Sequence, residues 1–181
     1  MTRPLLLLAA ALCLAVGCKG EPPASPQQAP PPAVNQIRSP PDFFGVKLGQ
    51  GPNKIVFVLD RSGSMTCSID YVKYELKRSI GTLDEKSEFH VIFYSSGPPV
   101  EMPTRRLVAA TERNKKLAFE FIDSIIAQGE TDPSKAIEQA FAAGPDTIYL
   151  LTDGEFDKAI VDLVKRLNAE KKVKVHTICF L

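Results

Sequence analysis

Lys54 to Asp60 reads Lys-Ile-Val-Phe-Val-Leu-Asp, an unbroken apolar run that ends on a carboxylate. A strand that is apolar on both faces has no side to show to water. It belongs inside a parallel sheet covered by helices on each face. The next residues, Arg61-Ser62-Gly63-Ser64, are too polar and too short to continue the strand. They place a tight polar loop at its carboxyl end.

The rest of the chain repeats that alternation. Ile69, Val72, Leu76, Ile80 and Leu83 recur at spacings of three and four and predict a helix over 68–83. Glu88 to Ser96 is rich in aromatic and β-branched residues and predicts a second strand, broken by Gly97-Pro98-Pro99. Val100 to Met102 predicts a short strand that Pro103 confines to an edge. Residues 112–127 predict a helix with Leu117, Phe121 and Ile125 in one row. Asp132-Pro133 pairs a capping carboxylate with a proline suited to the first helical position, so a further helix runs to Ala143 and stops at Gly144-Pro145. Thr147 to Thr152 predicts a buried strand, 157–172 a helix and Lys174 to Leu181 a last strand. Strand and helix alternate throughout, which predicts an α/β, doubly wound, mostly parallel sheet flanked by helices over residues 53–181.

The first fifty residues are of another kind. Leu5 to Val16 is an apolar run of twelve residues after Arg3. A membrane-spanning helix needs about twenty, so residues 1–17 predict a signal peptide. The run ends in Ala15-Val16-Gly17-Cys18, which resembles a bacterial lipobox with its usual leucine displaced by one position to Leu14. That resemblance implies lipidation of Cys18, export and anchorage in the bacterial cell envelope; ordinary cleavage after a small residue is the alternative. Residues 18–52 follow as a linker. Eight of the fifteen prolines fall between Pro22 and Pro41, a composition that favours extended polyproline II. Within it, Phe43, Phe44, Val46 and Leu48 are the residues able to dock on the edge of the domain. Without Arg3 the chain balances 21 basic against 21 acidic residues, so nucleic acid is not an expected partner.

Three polar segments fall at predicted strand ends or helix starts: Asp60-Arg61-Ser62-Gly63-Ser64, Gly129-Glu130-Thr131-Asp132-Pro133 and Thr152-Asp153-Gly154. Ligands of open parallel sheets bind outside the carboxyl ends of the strands. The donors there are oxygens only, two carboxylates and three hydroxyls, which suits Mg²⁺, Mn²⁺ or Ca²⁺ and disfavours zinc or copper. With Asp60, Ser62 and Ser64 as Asp-x-Ser-x-Ser, Thr131 in Gly-x-Thr and Asp153 in Thr-Asp-Gly, residues 53–181 resemble a von Willebrand factor type A domain with a metal-ion-dependent adhesion site. The resemblance implies direct coordination by Ser62, Ser64 and Thr131, with Asp60 and Asp153 often acting through water. It also implies a protein partner that presents an Asp or Glu to the metal. Full domains of that family carry a further helix, and often a strand, after the segment matching Lys174 to Leu181. The expectation is accordingly of a fragment, or of a natively short domain that lacks the C-terminal helix.

The leading expectation is a membrane-tethered, metal-dependent binding module with no catalytic residues. Two alternatives stand beside it: a Mg²⁺-dependent phosphoryl-transfer enzyme, and a structural envelope protein stabilised by its metal. Phosphatases of the haloacid-dehalogenase type need a second acid where Ser62 stands, and no phosphate-cradling Gly-x-x-x-x-Gly-Lys is present. His90 and His176 are expected to be structural, and Cys67 and Cys179 unpaired. Arg61 either steers an acidic partner or is solvated. Lys115-Lys116 and Lys171-Lys172 are expected at exposed helix ends.

Overall fold

A computed structural model describes residues 42–49, 51–154 and 158–179. The predicted signal peptide, Cys18 and most of the proline-rich linker lie outside the described residues.

The apolar run forms β3, Lys54–Asp60, with every residue after Lys54 buried. It follows a small hairpin of β1, Asp42–Phe43, and β2, Val46–Lys47. A 3-10 turn at Gly63–Cys67 leads into α1, Ile69–Gly81. Then come β4, Glu88–Tyr94, and the two-residue strands β5, Val100–Glu101, and β6, Val108–Ala109. Next are α2, Glu112–Asp123, and α3, Ser134–Ala142. The described chain ends with β7, Thr147–Thr152, α4, Lys158–Asn168, and β8, Lys174–Cys179.

The main sheet has the order β5-β4-β3-β7-β8, with β6 also paired to β4. β3 pairs in parallel with β4 on one side and with β7 on the other, and β8 adds in parallel to β7. β5 and β6 are antiparallel to β4. The architecture is the expected one: a mostly parallel, doubly wound sheet between helices. Strand order reverses at β3, because the chain leaves it toward β4 and returns on its other side as β7. The crevice beyond the carboxyl ends of β3 and β7 is thus the topological switch point.

Alternation along the strands builds two cores. Ile55, Phe57, Leu59, Phe89, Val91 and Phe93 pack against α1 and α2. Val56, Val58, Ile92, Ile148 and Leu150 pack against α3 and α4. The docking foreseen for Phe43, Phe44, Val46 and Leu48 goes further than an edge contact. Phe43 is fully buried, edge-on to Phe57 and Tyr149, and Leu48 is buried beside it. The packed domain therefore takes in residues upstream of 53.

Several local details depart from expectation. α2 stops at Asp123, short of Ala127, because the Ser124 hydroxyl donates to the Phe121 carbonyl and the backbone turns away there. Lys115 is buried rather than exposed. Its stem crosses apolar surface and its ammonium donates to the Gly81 carbonyl, at the negative end of α1. α3 begins at Ser134 with Pro133 at its N-cap, one residue later than expected, and the Asp132 carboxylate accepts from the Ser134 amide just ahead of it. Among the described residues no helix is long and apolar enough to cross a membrane.

Candidate metal centre

β3 delivers Asp60 to the switch point. The Asp60 side chain is fully buried, and its Oδ1 accepts from the Ser62 amide at 2.7 Å. That bond closes a two-residue turn that brings Ser62 back over the strand end. Ser62 is buried, Ser64 is exposed, and their hydroxyl oxygens lie 2.9 Å apart. The other carboxylate oxygen of Asp60, Oδ2, is buried and has no hydrogen-bond partner among the described residues. A buried acceptor without a donor is costly, more so when it is charged. Burial raises the Asp60 pKa above the ordinary carboxylate value against hydrogen bonds from Ser62, with smaller and opposing effects from the Asp153 charge, which raises it, and the Tyr94 hydroxyl, which lowers it.

Asp153 follows β7 directly and is half-buried. β7 runs parallel beside β3, so Asp153 leaves its strand at the same edge of the sheet as Asp60. Tyr94 is the partner of Asp60 in the β3–β4 register. It is fully buried, and its hydroxyl crosses beneath β3 to donate to the Leu151 carbonyl at 3.0 Å. Burial first, and then the Asp60 charge, push the phenol pKa well up. Tyr94 thus ties together the ends of the three strands that carry or flank the two aspartates. Nothing in the sequence marked it, because Tyr94 reads only as one more aromatic in a buried strand.

Thr131 comes in on a loop. The Gly63 amide donates to the Gly129 carbonyl at 2.8 Å, so the two loops touch through their backbones. Gly129 has φ +82°, and a Cβ there would lie 3.1 Å from the Ser96 hydroxyl. The position requires glycine both for its left-handed backbone and for the close approach. The Glu130 amide donates to that same Ser96 hydroxyl. Thr131 itself is exposed and makes no hydrogen bond to the other four residues among the described residues. Four of the five expected ligands therefore gather at the strand ends, and the fifth stands on a loop attached to them.

This set fits a hard cation. No cluster of three or more His, Cys, Asp or Glu occurs among the described residues, so hydroxyls would have to supply most of the donors. Two serine hydroxyls in mutual contact and an unsatisfied buried carboxylate oxygen are donors that could serve a Mg²⁺-, Mn²⁺- or Ca²⁺-type oxygen site.

The residues expected to be bystanders are placed clearly. His90 is buried with Nε2 2.9 Å from the Glu101 carboxylate, and His176 stacks on Tyr149. Cys67 and Cys179 are free and exposed. Arg61 follows neither expectation: it is 8% exposed, so it is neither solvated nor extended toward a partner.

Residues 53–181 match the family model described as "von Willebrand factor type A domain". The chain is 31% identical over 142 residues to "von Willebrand factor A domain-containing protein 3A" of Homo sapiens, covering 75% of this chain and 12% of that protein. It is 28% identical over 131 residues to "Inter-alpha-trypsin inhibitor heavy chain H4" of Sus scrofa, covering 72% of this chain and 12% of that protein. The chain thus spans about an eighth of the length of these relatives. Among solved structures, "von Willebrand factor type A from Catenulispora acidiphila" superposes with a TM-score of 0.59 at 21% identity, over 71% of this chain and 33% of that one. That likeness is one of fold.

Proposed function

The chain belongs to the von Willebrand factor type A family, and from that premise we propose that it is a divalent-metal-dependent protein-binding module. Ser62, Ser64 and Thr131 would hold the ion directly, with Asp60 and Asp153 behind them. A bound Mg²⁺, Mn²⁺ or Ca²⁺ supplies an electrophilic point for a carboxylate, and an Asp or Glu of a protein partner completes the shell. The observation that carries this reading is the buried, unpartnered Asp60 Oδ2 beside the Ser62–Ser64 hydroxyl pair. A buried carboxylate oxygen left there without a donor is better explained by a cation than by the stability of the loop. This chain's own residues bind and orient. The proposed role is binding without turnover.

The test is capture of partners from envelope extract by the full chain, once with Mg²⁺ and once with EDTA. The expected result is a set of proteins retained only with Mg²⁺ and lost with Asp60→Ala. Retention unchanged by EDTA and by the substitution refutes it. The proposal includes export and lipid anchorage through Cys18 by way of its lipobox-like segment. Cys18→Ser is expected to move the protein from the membrane to the soluble fraction of the envelope.

A further inference from the structure

Arg61 occupies the first variable position of the Asp-x-Ser-x-Ser loop, and its bonds run away from the crevice. Its amide donates to the Tyr94 carbonyl at 2.9 Å, and its carbonyl accepts from the Gln128 amide at 2.7 Å. Its guanidinium Nη1 donates to the Ile126 carbonyl at 3.2 Å. Together with the Gly63–Gly129 bond, residues 61–63 meet residues 126–129 at three points, just before Thr131. Only the Ile126 bond depends on the identity of the side chain.

The guanidinium is unusual in what it lacks. It forms no ion pair among the described residues, and its buried Nε has no hydrogen-bond partner among them. Burying a cation without a counter-charge costs stability, and an apolar side chain of similar volume in its place is often neutral or stabilising. Stability alone therefore does not account for an arginine at this position.

We propose that Arg61 is a positioning residue for the metal site: by gripping Ile126 it holds the 124–130 loop against the metal loop and sets the approach of Thr131 to Ser62 and Ser64. This rests on the metal-binding reading above. The competing effect has the opposite sign. A guanidinium charge close to a divalent cation repels it, so if charge dominated, removing Arg61 would tighten metal binding. If the clasp dominates, removing it loosens binding.

The experiment compares the full chain with its Arg61→Met and Arg61→Lys forms. Mg²⁺ and Mn²⁺ affinities are measured by calorimetry, melting in EDTA, and deuterium uptake over residues 124–131 in EDTA. Residues that orient metal ligands typically cost 10–100-fold in affinity when removed, and an indirect clasp belongs at the lower end. Arg61→Met is expected to weaken metal binding about tenfold, to raise uptake over 124–131, and to melt no lower in EDTA than the wild type. Arg61→Lys, which keeps the charge and part of the reach, is expected between the two. Unchanged or tighter metal binding by Arg61→Met overturns the proposal. So does a lower melting temperature with unchanged affinity, which would make Arg61 merely structural. If the wild type itself binds neither ion, the metal reading fails. The uptake comparison then decides the clasp alone, and equal uptake in both proteins overturns it.

Discussion

Asp60→Asn separates the cost of the empty site from the gain of filling it. In the absence of metal the wild-type domain holds a fully buried carboxylate with one oxygen unpartnered. Leaving a buried acceptor unsatisfied costs about 1–3 kcal/mol, and more for a charged group. The amide keeps the Oδ1 bond to the Ser62 amide and removes the charge, though its Nδ2 still wants an acceptor. A net gain of about 1 kcal/mol is therefore expected, worth roughly 4 °C in Tm for a domain of this size. Magnesium should act in the opposite direction. At a hundred times its Kd, a ligand specific to the folded state adds about 2.7 kcal/mol, or roughly 10 °C, to the wild type and little to the variant. The sign with pH follows from the raised Asp60 pKa. The folded state binds that proton more tightly than the unfolded chain, so this contribution to stability is complete below the ordinary value of 3.8 and is lost as pH rises through the folded value. The gain of the asparagine form in EDTA should thus be absent at pH 3.8 and develop toward neutrality. The assay is thermal melting by circular dichroism, with and without Mg²⁺, from pH 3.5 to 7.5. An asparagine form that melts more than about 4 °C below the wild type in EDTA at pH 7, or that responds to Mg²⁺ as the wild type does, refutes the reasoning.

Three other outcomes are expected. Phe43→Ala removes a fully buried ring and should cost about 3–5 kcal/mol; an unchanged Tm would remove the hairpin from the core. Gly129→Ala forces a Cβ toward the Ser96 hydroxyl in a left-handed backbone, at a cost of roughly 1–2 kcal/mol. It should also weaken Mg²⁺ binding by displacing Thr131, as calorimetry would show. His90 is held below its ordinary pKa by burial, against a weaker pull from Glu101. Its contribution is therefore full above about pH 6.5 and lost as pH falls through the folded value, so His90→Gln should flatten the decline of Tm between pH 6.5 and 4.5.

The long elements were legible because burial on both faces leaves an unmistakable composition. β3 and β7 begin and end where their apolar runs do. The polar loop carrying Ser62 and Ser64 was legible because the apolar run stops at Asp60 and a short, glycine-containing polar segment follows it. The hairpin was not. Its two-residue turn places Phe44 at φ 48° and Gly45 at φ 77°, and a phenylalanine in that conformation contradicts its own preference. The packing of Phe43 on Phe57 and Tyr149 overrides that local cost, and no local pattern announces it. β6 was hidden for a similar reason: two residues pair with the start of β4 and form no apolar run of their own. The burial of Arg61 was illegible because its partners are backbone groups far along the chain.

The hairpin also decides where the described chain first grips the domain. The Asp42 carboxylate is held by the Arg78 guanidinium, and the Asp42 carbonyl accepts from the Ser79 hydroxyl. Both partners belong to α1, whose opposite end follows the Asp60–Ser64 loop. A pull transmitted along the chain into Asp42 would load α1 directly, before it loads any strand of the sheet. The first attachment to give way would be an ion pair and a hydroxyl bond at the surface, leaving Phe43 as the plug that resists extraction.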